Sequence, residues 1–354
     1  MCTIITVLTK KVVFLRQDCT KNQFIFLTIS ISVIVHLLFT KFLFLKIVQN
    51  TAKFSLREET YVTIGTFDGV HFGHQKIIEK LVKEAKKANK KSVVLTFFPH
   101  PRMVLQKDAT IELINTIDER AALLAKTGLD YLIIHPFNKE FSRMSAVEFV
   151  RDILVNQLKI SKLIIGYDHH FGKNREGNIT QLTEYSHVYN FKVEEIPAQD
   201  IDTVSVSSTK IRRALASGNL KTANDYLGYN FMLNGNVGNG KKLGGKIGFP
   251  TANIDVKETY KLIPKTGVYV VKSSINNRTV FGMMNIGNRP TVNGNHQTIE
   301  VHFFDFNQDL YHQNLTIELI YFLRDEEKFE SIELLIHQLK KDKEIAKNYI
   351  KNNL

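Results

Sequence analysis

Apolar positions along this chain follow two different rhythms. Between residues 62 and 218, short apolar runs alternate with amphipathic stretches. The runs at 62–65, 92–98, 131–135, 162–166 and 192–196 have the length and β-branched content of buried strands. The stretches at 75–89, 118–127, 146–158 and 182–190 have helical spacing, as where Ile77, Ile78, Leu81, Val82 and Ala85 share one face. Gly128 stands where a helix C-cap belongs. Regular β-α succession predicts an α/β domain with a parallel sheet covered on both faces, whose ligands sit at the carboxyl ends of its strands.

After Gly218 the helical spacing stops. Short alternating runs at 229–237, 267–272, 279–286, 297–304 and 315–322 are separated by turn pairs such as Asn276-Asn277 and Asn293-Gly294. This predicts a small antiparallel sheet or barrel, closed by one helix over 332–350. The expected organisation is an α/β domain over 46–218, a linker over 219–228 and a second domain over 229–354.

Residues 1–45 follow neither rhythm. Positions 22–40 are uncharged, long enough to span a bilayer, and flanked by Lys21 and Lys41. Three readings compete: a membrane anchor, an uncleaved signal-like segment, and a translation start set too early, with the chain beginning near Leu45-Lys46. The last is preferred, and membrane contact is expected only if the extension is real.

Composition adds limits. With 354 residues, 44% of them hydrophobic and 23% charged, the chain suits a soluble two-domain protein. The net charge is +12, but residues 1–50 hold six Lys/Arg and one acid, leaving +7 spread over the rest. That distribution fits polyphosphate substrates and argues against nucleic acid as partner. Cys2 and Cys19 are the only cysteines, so the body can build no disulfide framework or thiolate metal site. A reducing, cytoplasmic setting is expected. The sequence sets no oligomeric state.

The densest chemistry lies in Tyr61 to Gln75, YVTIGTFDGVHFGHQ. A strand breaks at Gly65, passes Phe67 and Asp68, and enters a helix through His71, Gly73 and His74. Free N–H groups and the dipole of a helix N-terminus attract anions, and two imidazoles three residues apart would face the same ligand. An isolated histidine pair is more often incidental, but the strand-to-helix junction reverses that balance. Asp68 reads equally as a turn acceptor or a substrate ligand. Ser207-Ser208-Thr209-Lys210-Ile211-Arg212-Arg213 pairs N-capping hydroxyls with cations, either a second anion site or an ordinary capped surface helix. Asp168, with His169 and His170, follows a buried strand and suits a metal site or an aromatic-rich nucleotide pocket. In the second half, Gly248-Phe249-Pro250-Thr251-Ala252-Asn253 belongs to a Gly-rich loop where Thr251 and Asn253 offer oxygens of the kind Mg²⁺ prefers. Glu300 and His302 share one strand face; by itself such a carboxylate is normally solvated.

Taken in order, GTFDGVHFGHQ, TFFPHP, GYDHHFGKNREG, SSTKIRRAL, GFPTAN, NIGNRPT and IEVHFFDF-NQDLY closely resemble the bifunctional riboflavin kinase/FMN adenylyltransferases, from about Leu45 onward. The resemblance implies a Rossmann-like nucleotidyltransferase domain of the HxGH type, followed by a β-barrel kinase domain with a C-terminal helix. It implies riboflavin, FMN and ATP as substrates, with Mg²⁺ as cofactor. His71 and His74 match the nucleotidyltransferase histidines, within a pocket that includes Gly65, Phe67, Asp68 and Gly73. Ser208, Thr209 and Arg212 match a second phosphate motif, and Asp168 a substrate-pocket position. Gly248, Thr251 and Asn253 match the kinase loop that holds metal and phosphate, and Glu300 the general base. Lys246 and His170 stand where arginines are usual, and residues 1–45 have no counterpart. Two other readings compete with this one: a nucleotidyltransferase for another phosphorylated substrate, and a non-catalytic membrane-tethered binding protein.

Overall fold

The computed structural model describes residues 4–8, 11–18, 23–30, 45–106, 111–167, 170–197, 206–238, 243–291 and 294–353. At the N-terminus, strands β1 (Ile4–Leu8), β2 (Lys11–Asp18) and β3 (Gln23–Ser30) form an antiparallel sheet. The front of the expected apolar span is therefore strand, and its remainder, 31–40, lies outside the described residues. Among the described residues no helix is long and apolar enough to cross a membrane.

The α/β unit contains β4 (Lys46–Gln49), β5 (Thr60–Ile64), α1 (Phe72–Lys87), β6 (Lys91–Phe98), α2 (Ile117–Ala125) and β7 (Tyr131–Pro136). It continues with α3 (Ala146–Glu148, passing into wider π turns over Phe149–Gln157), β8 (Ile160–Gly166), α4 (Ile179–Tyr189) and β9 (Lys192–Ile196). The sheet is wholly parallel, in the order β4-β7-β6-β5-β8-β9. Strand alternation splits its apolar residues between two layers. Val93, Leu95 and Ile133 face α3, whereas Val94, Leu132 and Ile134 face α1 and α2. The order reverses between β5 and β8, so the crevice beyond their carboxyl ends is the expected ligand position.

Two helices follow, α5 (Ser208–Ser217) and α6 (Leu220–Leu227). The segment expected to link the domains is thus helix, with Leu220, Ala223 and Leu227 buried. Gly218 and Gly228, at φ 80° and 75°, cap the two helices in left-handed conformation.

The second unit is a closed antiparallel barrel of β10 (Met232–Gly238), β11 (Ala252–Asp255), β12 (Gly267–Ile275), β13 (Arg278–Thr291), β14 (Gly294–Phe303) and β15 (Asn314–Arg324), in the order β10-β11-β14-β13-β12-β15. Helix α7 (Ile332–Asn353) packs outside it. Tyr269, Val271, Met284 and Val301 point inward, and the intervening Val268, Val270 and Met283 lie in the cluster that includes Ala346 of α7. Arg324 of β15 grips the fully buried Asp342 of α7, with Nε 3.0 Å and Nη2 2.7 Å from its oxygens.

The two units share one core. Ile114, Ile211, Leu215, Leu220 and Leu227 belong to the same apolar cluster as the barrel interior. At this junction the Lys261 ammonium, with no side-chain exposure, lies 2.6 Å from Glu119 and donates to the Ile114 carbonyl at 2.6 Å. Removing one partner of a pair buried this deeply typically costs about 3–5 kcal/mol.

Candidate active sites

The turn between β5 and α1 is strained. Phe67 has φ 48° and Val70 φ 35°, the latter unusual for a β-branched residue, and Gly69 has φ 88°. A Cβ on Gly69 would meet Ile114 at 3.0 Å. Several bonds hold the turn: Val70 N donates to Phe67 O at 3.0 Å, and Gln75 Nε2 to Val70 O at 2.8 Å.

His71 is the N-cap of α1, its Nδ1 accepting from the His74 amide at 3.4 Å. Its ring stacks on that of His74, centroids 3.6 Å apart and planes 18° apart, and Phe67 meets His74 edge-on at 5.2 Å. Burial, then His71, then Arg120 lower the His74 pKa well below the ordinary imidazole value. The His74 Nδ1 is buried without a hydrogen-bond partner. Gly73 is buried in the first turn of α1, and Gly65, at the end of β5, leaves room for the Phe67 ring, 3.1 Å from where its Cβ would lie.

Asp68 organises this site from below. Its carboxylate is 1% exposed and accepts from the Ile114 and Asn115 amides at 3.2 Å each. It also pairs with Arg212 and, at 3.7 Å, with Arg120. Of the two sequence readings of Asp68, this geometry is that of a protein-bound acceptor. Arg212 is fixed a second time by its Nε, which donates to Glu112 O at 2.9 Å. Ser208 Oγ donates to Asp68 O at 2.9 Å, so the first turn of α5 docks on the same turn that starts α1. Thr209 is exposed in that first turn. Two helix N-termini, a histidine pair and a clamped arginine therefore converge beside the β5/β8 crevice. Asp168 lies outside the described residues, and His170 is exposed.

Sequence reasoning missed Arg120, whose side chain is 1% exposed beneath the site. Burial lowers the Arg120 pKa, against the opposing pull of Asp68. His100 caps the short helix Pro101–Leu105, and burial brings its pKa down to about 4 while nearby Asp68 raises it. A buried arginine and a surface arginine look alike in a helical sequence, so no signal marked Arg120.

In the barrel, a cavity of about 520 Å³ is lined by Gly244, Thr251, Asn253, Glu300, His302 and Arg324, among others. Asn253 on β11 and Asn285 on β13 both stand opposite Glu300 on β14, so the ladder sets their register. Thr251 Oγ1 donates to Glu300 at 3.3 Å. His302 Nδ1 lies 2.8 Å from the Pro250 carbonyl and ties the loop to β14, while its Nε2 is buried without a partner. Burial lowers its pKa, against the raising effect of the Pro250 bond. A Cβ on Gly244 would lie 2.2 Å from Phe249 O, so only glycine lets the loop close. Gly248 adopts φ 83°, and Lys246 ends the short helix Leu243–Lys246, exposed.

Comparison with known proteins divides the chain the same way. Residues 53–210 match the family described as FAD synthetase, and residues 227–350 that described as riboflavin kinase. A bifunctional riboflavin kinase/FMN adenylyltransferase of Buchnera aphidicola subsp. Schizaphis graminum is 38% identical over 298 residues, covering 83% of this chain and 95% of that protein. The protein of the same description from Escherichia coli K12 is 35% identical, covering 83% and 93%. A crystal structure from Streptococcus pneumoniae, described as a macrolide-efflux protein, shares the fold with TM-score 0.78 at 30% identity, covering 85% of this chain and 99% of that one. The chain belongs to the bifunctional riboflavin kinase/FMN adenylyltransferase family: it phosphorylates riboflavin to FMN and adenylylates FMN to FAD, with ATP as co-substrate of both reactions.

Proposed function

We propose that the two reactions run at two separate sites, adenylyl transfer in an α/β module over 46–218 and phosphorylation in a barrel module over 229–354. The observation that carries the reading is the convergence of the stacked histidines, Arg212 and two helix N-termini at the β5/β8 switch point. In adenylyl transfer an FMN phosphate oxygen attacks the α-phosphorus of ATP in line, and pyrophosphate leaves with the bonding electrons. No enzyme nucleophile is needed, so rate comes from positioning and from stabilising charge that grows in the transition state. His71 and His74 would donate to phosphate oxygens as neutral imidazoles, a state that the depressed His74 pKa favours. Arg212, held by Asp68 and Glu112, would meet the same charge, with Ser208, Thr209 and Asp168 completing the pocket.

In the barrel, Glu300 would accept the proton of the ribityl hydroxyl as that oxygen attacks the γ-phosphorus of a second ATP, releasing ADP. Thr251 and Asn253 would hold Mg²⁺ together with the phosphates. The donor set fits: hydroxyl, amide and carboxylate are hard oxygens, and among the described residues no cluster of three His, Cys, Asp or Glu could cage an ion alone. Bound there, Mg²⁺ would neutralise phosphate charge. A reducing cytoplasm suits a body without cysteines.

The test is product chromatography with riboflavin, ATP and Mg²⁺. His74→Ala should stop FAD formation while FMN accumulates; Glu300→Gln should stop FMN formation yet still convert supplied FMN to FAD. Loss of both activities in either variant would sink the two-site reading.

A further inference from the structure

The strained turn of the adenylyltransferase site is held partly from outside its own module. Three segments of the region matched to riboflavin kinase, residues 227–350, reach it. Tyr229 Oη donates to the Gly69 carbonyl at 2.6 Å and lies 3.1 Å from Asn115 Oδ1. Gln75, the residue after His74, donates to Leu227 O at 2.8 Å. The segment around Lys261 runs alongside 113–115: Leu113 N donates to Tyr260 O at 2.6 Å, and Leu262 N to Leu113 O at 2.8 Å.

That strip is the one whose next two amides bind the Asp68 carboxylate. Lys261 fixes it from the other side, donating to Ile114 O at 2.6 Å and to the Glu119 carboxylate at 2.6 Å. Glu119 in turn receives the Thr116 amide at 3.0 Å and the Asn234 amide of β10 at 3.2 Å. An unbroken path therefore runs from Lys261 through Ile114 to Asp68 and from Asp68 to Arg212. A second runs from Tyr229 to Gly69, inside the turn that presents His71. Positive φ at Phe67, Gly69 and Val70 gives that turn a reason to relax if its holders are removed.

We infer that Tyr229 and Lys261 of the kinase module are positioning residues for adenylyl transfer, so that this active site is complete only when the barrel is docked against it. The inference rests on the reading of Arg212 and the histidine pair given above. It makes the coupling one-directional, since none of these contacts reaches Thr251, Asn253 or Glu300.

The experiment measures both activities in the same full-length preparations, riboflavin phosphorylation serving as the count of folded molecules. Tyr229→Phe keeps the ring and removes one hydroxyl. It should lower kcat for FAD formation about tenfold, the value of one hydrogen bond to an active-site carbonyl, with the KM for ATP and the kinase rate unchanged. The paired variant Lys261→Met/Glu119→Gln removes the ion pair without leaving a buried charge, and should lower FAD formation at least as far. In an Arg212→Ala background the Lys261→Met/Glu119→Gln pair should cost little more, because the group at the end of its path is gone. Undiminished FAD formation in both variants, or a parallel fall in both activities, would overturn the inference. If Arg212→Ala itself left FAD formation intact, the reading of the site would fail instead.

Discussion

The groups expected to meet substrate in the parallel-sheet site sit on a turn and on two helix N-termini, whereas in the barrel Asn253 and Glu300 sit on hydrogen-bonded strands and Thr251 on the loop residue just before one. In the barrel, Asn253 and Asn285 face Glu300 because β11, β14 and β13 are in register, and the ladder that builds the fold also builds the site. In the α/β module, positive φ at Phe67 and Val70 leaves the turn dependent on Asp68, Arg120, Arg212 and the neighbouring barrel. A ladder-borne site is autonomous; a turn-borne site needs holders. Binding polyphosphate favours the turn all the same, since it offers backbone N–H groups and two helix dipoles that a strand cannot.

The sharpest way to break this contrast is Arg212→Ala. Losing a preorganised cation at growing phosphate charge should lower kcat for FAD formation by on the order of 10²–10³, with riboflavin phosphorylation untouched. A kinase rate that fell in step would mean the two sites are not separate. On the barrel side, Gly244→Ala forces a Cβ to within 2.2 Å of the Phe249 carbonyl. The loop carrying Thr251 must open, so phosphorylation should fall at least about tenfold while supplied FMN is still adenylylated. Steady-state rates on each substrate separate the two outcomes.

Much of this was legible in the chain. The β-α rhythm predicts the parallel sheet, and the later alternation predicts the barrel with its closing helix. What escaped has physical reasons. Strand β4 is a four-residue edge whose pattern is too short to register, and β11 hides inside the Gly-rich loop. The segment with α6 looked like a linker because it lies between two capping glycines, although Leu220, Ala223 and Leu227 at helical spacing fill the shared core. Among site residues, His71, His74 and Arg212 stood out through their junctions. Arg120, Tyr229 and Lys261 did not, because sequence cannot tell a buried cation or hydroxyl from a solvated one. Lys261 gains its meaning from Glu119 and Ile114, 142 and 147 positions away.

The smallest expected effect concerns pH. Burial holds the pKa of His74, His100, His135 and His302 below the ordinary imidazole value, His100 and His135 to about 4. Below about pH 6.5 the unfolded chain takes up protons there that the native protein does not, so stability is full above 6.5 and lost as pH falls toward 4. Denaturant unfolding should show a lower midpoint at pH 5 than at pH 7. His135→Asn, which keeps a polar partner for Thr51, should reduce that difference; an unchanged difference would remove His135 as a contributor.

One mixture tests the central claim of two separate sites most directly. His74→Ala and Glu300→Gln proteins, each unable to make FAD from riboflavin alone, are combined with riboflavin, ATP and Mg²⁺ and the flavins are separated over time. The expected result is FMN released by the first variant followed by FAD made by the second. A mixture that makes no FAD, although the Glu300→Gln protein converts supplied FMN, would contradict it.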